Sequence, residues 1–106
     1  MVTMNQIEAL GRRIGLEFNV DRIVLFGSYA HGSATRDSDV DLLVVMDHKG
    51  KGWRMAGEIR GRVRPQFPLD LLVRTAQQVR ERLALDDCFF REITEKGTVL
   101  YEATDE

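Results

Sequence analysis

Two aspartates separated by one residue, Asp39-Val40-Asp41, stand at the start of the most apolar run in the chain, Leu42-Leu43-Val44-Val45-Met46. On a strand, residues two apart leave the same face. Side-by-side carboxylates repel and raise each other's pKa, whereas a divalent cation attracts both and keeps them ionised. Carboxylate oxygens with no His or Cys at ligand spacing suit a hard ion, Mg²⁺ or Mn²⁺, rather than zinc. Taken alone, Asp-x-Asp also fits a capped turn followed by an exposed strand end, and short motifs carry a high false-positive rate. Three further features favour chemistry. Gly27-Ser28 ends the apolar run Ile23-Val24-Leu25-Phe26, and backbone amides with a hydroxyl at a helix start can cradle phosphate. The ten residues 29–38 are enough to return the chain, making the two strands antiparallel neighbours with the Gly-Ser turn beside Asp39. A third carboxylate, Asp70, opens another apolar strand, Leu69 to Arg74, which reaches the same sheet edge if it runs parallel to the second. Three carboxylates and a phosphate cradle at one end of a sheet are the groups that two-metal phosphoryl chemistry requires.

The elements that must position these residues follow from pattern. Thr3 with Gln6 forms a capping box ahead of Ile7, Leu10, Ile14 and Phe18 at helical spacing, with Gly11 and Gly15 weakening that helix. Residues 23–26 read as a strand, 29–38 as a loop or short helix, and 39–46 as a second strand. Trp53, Ala56, Ile59 and Val63 share one face of a third helix, with Trp53 as its core anchor, and Pro65 and Pro68 mark its exit. Leu69–Arg74 is a strand. Thr75 with Gln78 caps a helix with Val79, Leu83 and Leu85 inward. Asp86 or Asp87 caps a last helix holding Phe89, Phe90 and Ile93, with Cys88 read as packing; Gly97 ends it, and 98–102 is a short extended tail. A crossover helix between the second and third strands favours a parallel pair with a right-handed connection. The expected class is α/β: a small mixed sheet flanked by helices.

Composition bounds the possibilities. The 106 residues correspond to one domain, 1–106, with no room for a separate substrate domain. Hydrophobic residues at 43% and charged residues at 30% describe a folded chain rather than a disordered one. A net charge of -2 argues against a dedicated nucleic-acid binder. The single cysteine allows no internal disulfide, which fits a reducing compartment. A membrane span needs ~20 apolar residues, and the start Met1-Val2-Thr3-Met4 lacks the features of a signal peptide, so the expected location is cytoplasmic.

The stretch Gly27-Ser28-Tyr29-Ala30-His31-Gly32-Ser33-Ala34-Thr35-Arg36-Asp37-Ser38-Asp39-Val40-Asp41-Leu42 resembles the signature of the DNA polymerase beta-like nucleotidyltransferase superfamily. The short length and the ending Gly97-Thr98-Val99-Leu100-Tyr101-Glu102 are similar to its minimal nucleotidyltransferase branch. That resemblance implies a polymerase beta-like core, two Mg²⁺ ions and a nucleoside triphosphate, ATP above all, as donor of a nucleoside monophosphate to a hydroxyl. It implies Gly27 and Ser28 on the triphosphate, Asp39 and Asp41 on both metals, and Asp70 on the catalytic metal, helping to deprotonate the acceptor. It further implies a HEPN-domain toxin as partner, adenylylated by this chain acting as antitoxin. Many relatives carry Arg where His31 stands.

Alternatives remain open at this level. A small molecule such as an aminoglycoside could be the acceptor, with a homo-oligomer completing the pocket. A non-catalytic antitoxin that blocks its partner by contact is the rival from another class. Retention of Gly27, Ser28, Asp39, Asp41 and Asp70 argues against a decayed site. His31 and Arg36 could touch the triphosphate or stay solvated. Lys49, Lys51, Arg54, Arg60, Arg62 and Arg64 against Glu58 alone read as the solvated face of a helix.

Overall fold

A computed structural model describes residues 1–104. Among these described residues nine elements follow one another: α1 (Met4–Glu17), β1 (Val20–Phe26), α2 (Ser28–His31), β2 (Val40–Met46), α3 (Gly52–Val63), β3 (Leu69–Arg74), α4 (Ala76–Ala84), α5 (Cys88–Lys96) and β4 (Thr98–Glu102). The strands form one mixed sheet in the order β3-β2-β1-β4. β1 pairs antiparallel with β2 and with β4, and β2 pairs parallel with β3 across the α3 crossover. The expected α/β class and both expected strand relationships are present.

Local chemistry sets the boundaries. Both capping boxes form: Thr3 Oγ1 accepts from Gln6 N and Gln6 Oε1 accepts from Thr3 N at 2.8 Å, and Thr75 with Gln78 repeats the arrangement. Of the two candidate caps for α5, Asp87 does the work, its Oδ1 accepting from Phe89 N at 3.0 Å and Phe90 N at 3.3 Å. The glycines of α1 have a packing reason. Gly11 lies close against Leu100, and Gly15 lies against the ring of Tyr101, where a side chain would collide with that ring of β4.

Period-two alternation divides the sheet into two faces. On one, Ile23, Leu25, Val40, Leu42 and Val44 pack against Ile7 and Ile14 of α1 and Ile59 and Val63 of α3. On the other, Val24, Leu43 and Val45 pack against Val79 of α4 and Phe90 and Ile93 of α5. Asp41, two before Leu43, belongs to this second, smaller face.

Three expectations, on Trp53, Leu85 and Cys88, are corrected. Trp53 is not a core anchor: it is 69% exposed in the first turn of α3, with the Arg54 guanidinium 5.4 Å from its ring centroid. Leu85 does not point inward; it caps the end of α4 and is 74% exposed. Cys88 is exposed at the first position of α5 rather than packed. Phe89 is 50% exposed, because adjacent helix positions diverge by about 100° and Phe90 takes the inward one. No helix among the described residues is long and apolar enough to cross a membrane.

Candidate functional site

The antiparallel β1–β2 pair sets Phe26 opposite Asp41, which brings the turn after β1 to the start of β2. Gly27 adopts φ 75° and ψ -156°, a conformation essentially restricted to glycine. A Cβ there would also collide with Oδ2 of Asp41, so the turn and the carboxylate are in direct contact through the missing side chain. Ser28 opens α2. Ala30 N and His31 N donate to Gly27 O at 3.0 and 3.2 Å, leaving the amides of Ser28 and Tyr29 ahead of the helical ladder, where orphan donors of a helix start lie. Gly32, at φ 74°, closes the short helix. A turn in which Thr35 N donates to Ser38 Oγ at 2.8 Å and Ser38 N to Thr35 O at 3.1 Å then returns the chain to Asp39.

The other flank is built by the parallel pair. Val40 N donates to Pro68 O at 3.0 Å, fixing a register in which Asp41 is directly beside Asp70. Asp41 is thus held between Gly27 and Asp70, with Asp39 two residues away on the same face. Burial, then the charge of Asp70, then that of Asp39, pushes the Asp41 carboxyl above its ordinary value of 3.8. Asp41 is partly buried, while Asp39 and Asp70 are exposed.

The turn and Asp41 open into a cleft of about 420 Å³. Its opposite wall is α5, which contributes Phe89, Glu92 and Ile93. His31 and Ser33 also line it, and His31 Nε2 lies 3.8 Å from Glu92 Oε1. Arg36 is exposed in the 33–39 loop and is not part of this lining. The structure therefore places Gly27, Ser28 and Asp41 on one cleft, sets Asp70 beside Asp41 across the β2–β3 pair and Asp39 just ahead of β2, leaves Arg36 outside the lining, and adds the α5 wall. No motif marks that wall in the sequence; the nearest signal is the Phe89-Phe90 pair, of which only one ring can face the sheet.

The residues fit a hard divalent cation by their chemistry: oxygen donors only, on one sheet face, with the central one carrying a charge penalty from both neighbours that a cation would offset. Among the described residues no three His, Cys, Asp or Glu side chains close into a ligand cluster. Ligation by all three would draw their side chains inward.

A family model of the nucleotidyltransferase domain matches residues 4–101, and the chain belongs to that family. No curated protein sequence matches it. Among solved structures, the chain is similar to a Sulfolobus solfataricus protein assigned to the nucleotidyltransferases, at 17% identity and a TM-score of 0.62, with 92% of this chain and 78% of that one covered. It is also similar to a chain of a toxin–antitoxin structure determined with AMP-PNP, at 20% identity and a TM-score of 0.52, covering 97% and 76% of the two chains. At these identities the likeness is one of fold: the mixed sheet flanked by helices is that of the polymerase beta-like nucleotidyltransferases.

Proposed function

We propose that the chain, acting as one minimal nucleotidyltransferase domain over residues 1–106, transfers AMP from ATP to a hydroxyl on a HEPN-type toxin partner and thereby serves as its antitoxin in the cytoplasm. The observation that carries the reading is the placement of Asp41 between Gly27 and Asp70 at the head of the cleft. Family membership supports nucleotidyl transfer, and the fold shared with a toxin–antitoxin chain solved with AMP-PNP supports the partner and the donor nucleotide.

In this reading the Ser28 hydroxyl and the first amides of α2 donate to the triphosphate. The Gly27 conformation lets the phosphates approach the backbone closely. Asp39, Asp41 and Asp70 would hold two Mg²⁺ ions, which when bound neutralise phosphate charge and make the acceptor hydroxyl easier to deprotonate. Asp70 is set apart from the Asp39–Asp41 pair on its own strand and takes part in removing the acceptor proton. The acceptor oxygen bonds to the α-phosphorus, the bond from the α-phosphorus to the bridging oxygen of the β-phosphate breaks, and pyrophosphate leaves. The cleft supplies a donor site but little surface for an acceptor, which a partner chain would bring.

The test is mass spectrometry of the helical partner co-expressed with this chain, after incubation with ATP and Mg²⁺. A mass increase of one adenylate on a hydroxyl side chain is expected. An unmodified partner whose toxicity is still neutralised would overturn the catalytic reading.

A further inference from the structure

The cleft has two kinds of wall. One end is polar: the Gly27–Ser28 turn, Ser33 and Asp41. The other, the α5 side, carries two aromatic rings, Phe26 and Phe89, together with Glu92 and Ile93. Phe26 immediately precedes Gly27, and its ring packs edge-to-face with Phe89, centroids 5.7 Å apart at 89°. Phe90, whose side chain is buried in the sheet, packs against Phe89 in the same manner at 5.5 Å and 88°. The backbone under Phe89 is fixed as well, since its amide donates to the Asp87 cap. Phe89 is therefore an oriented ring, held by two others and by a capped helix turn, yet half of it remains exposed and it lines the cleft. Scattered exposed apolar side chains need no explanation. An aromatic ring that lines the cleft and packs on Phe26, the residue just before the Gly27–Ser28 turn, does.

We propose that Phe89 is the base-stacking residue of the donor site: the nucleobase lies against its ring while the triphosphate lies at Gly27–Ser28. This rests on the donor-site reading above and adds a residue that binds the part of the nucleotide that does not react. The cleft volume of about 420 Å³ is in the range of small-ligand sites, and its division into a polar end and a side carrying two aromatic rings follows the division of a nucleotide into phosphate and base. A ring face recognises π-surface rather than a hydrogen-bonding edge, so the contact binds bases without selecting sharply among them.

The test compares two probes by calorimetry in the presence of Mg²⁺: ATP, which has a base, and inorganic tripolyphosphate, which has none. Phe89→Ala is expected to bind ATP about tenfold more weakly, the order of effect that loss of one base–aromatic stack produces. Tripolyphosphate affinity should be unchanged. Phe89→Trp should restore ATP binding, while Phe89→Leu, similar in bulk but without a π-face, should remain weak, which separates stacking from simple filling of space. Unchanged ATP affinity in Phe89→Ala would overturn the proposal. So would an equal loss for both probes, since Phe89 would then shape the cleft rather than hold the base. If the wild type binds neither probe, the donor site itself is refuted and this assignment falls with it. A failure confined to the Phe89 variants removes the stacking residue and leaves the donor site standing.

Discussion

The two faces of the sheet have been put to different uses. The face covered by α1 and α3 is closed from end to end: Ile7, Ile14, Ile23, Leu25, Val40, Leu42, Val44 and Ile59 are almost wholly buried. The face covered by α4 and α5 is buried at Val24, Leu43 and Val45 but opens at the head of β2, where Asp41 replaces an apolar residue and the cleft begins. One strand serves both. Val40, Leu42 and Val44 anchor it from below while Asp39 and Asp41 project above, so a site with a poor electrostatic balance is held by a core that owes nothing to it.

If that division is right, mutations on the two faces should fail in different ways. The largest effect belongs to the open face: Asp39→Ala or Asp41→Ala is expected to abolish nucleotidyl transfer with an unchanged fold, checked by label transfer alongside circular dichroism. Equal transfer by the wild type and Asp41→Ala would sink the site assignment. One residue along, on the closed face, Leu42→Ala should cost about 2–5 kcal/mol in denaturant unfolding, as a fully buried leucine does. Its transfer activity, measured well below its melting temperature, should stay within a few-fold of normal. Gly27→Ala sits where the two uses meet. An ordinary side chain is strained at φ 75° and would collide with Asp41, so a loss of roughly 1–3 kcal/mol together with most of the activity is expected.

The smallest effect is a pH dependence. Because the Asp41 carboxyl titrates above 3.8 in the folded protein, the native state holds that proton more tightly than the unfolded chain. Its ionisation therefore penalises folding at neutral pH, and the penalty is relieved as the pH falls through the raised value toward 3.8 and below. In metal-free buffer at pH 7, Asp41→Asn should be slightly more stable than the wild type, solvent screening of this partly exposed carboxyl keeping the gain small, and the gain should vanish as the pH falls to 3.8 and below. Addition of Mg²⁺ should stabilise the wild type and not the variant. A variant less stable than the wild type at pH 7 without metal would contradict the charge argument.

Much of this was legible from the residues. The capping boxes at Thr3 and Thr75 and the strand Leu69–Arg74 stand at their expected positions because the determinants are local: a side chain three residues from its partner, or an apolar run between a proline and a cap. The convergence of Gly27, Asp41 and Asp70 was legible because loop and crossover lengths constrain strand direction. Periodicity misled where it ignored element ends. Trp53 shares a helical phase with Ala56, Ile59 and Val63 but stands at the first turn, where its side chain is left exposed, and Leu85 follows the α4 pattern one residue past the helix. The α5 wall was illegible. Phe89 and Glu92 lie some fifty residues along the chain from Asp41, and only the tertiary packing of α5 over Val24 and Leu43 brings them to the cleft.

The most direct test of the central claim is to follow label from the α-phosphate of ATP onto the co-purified partner, for the wild type and for Asp70→Asn. That substitution keeps the size of the side chain and removes its charge. ATP affinity, measured in parallel, should be near normal in both proteins, because Gly27, Ser28, Asp39 and Asp41 remain. Transfer by Asp70→Asn should fall by about 10²–10⁴-fold, the contribution of general acid–base assistance. Undiminished α-label transfer by Asp70→Asn, or label arriving only from the γ-phosphate, would contradict the assignment of this sheet edge as a nucleotidyl-transfer centre.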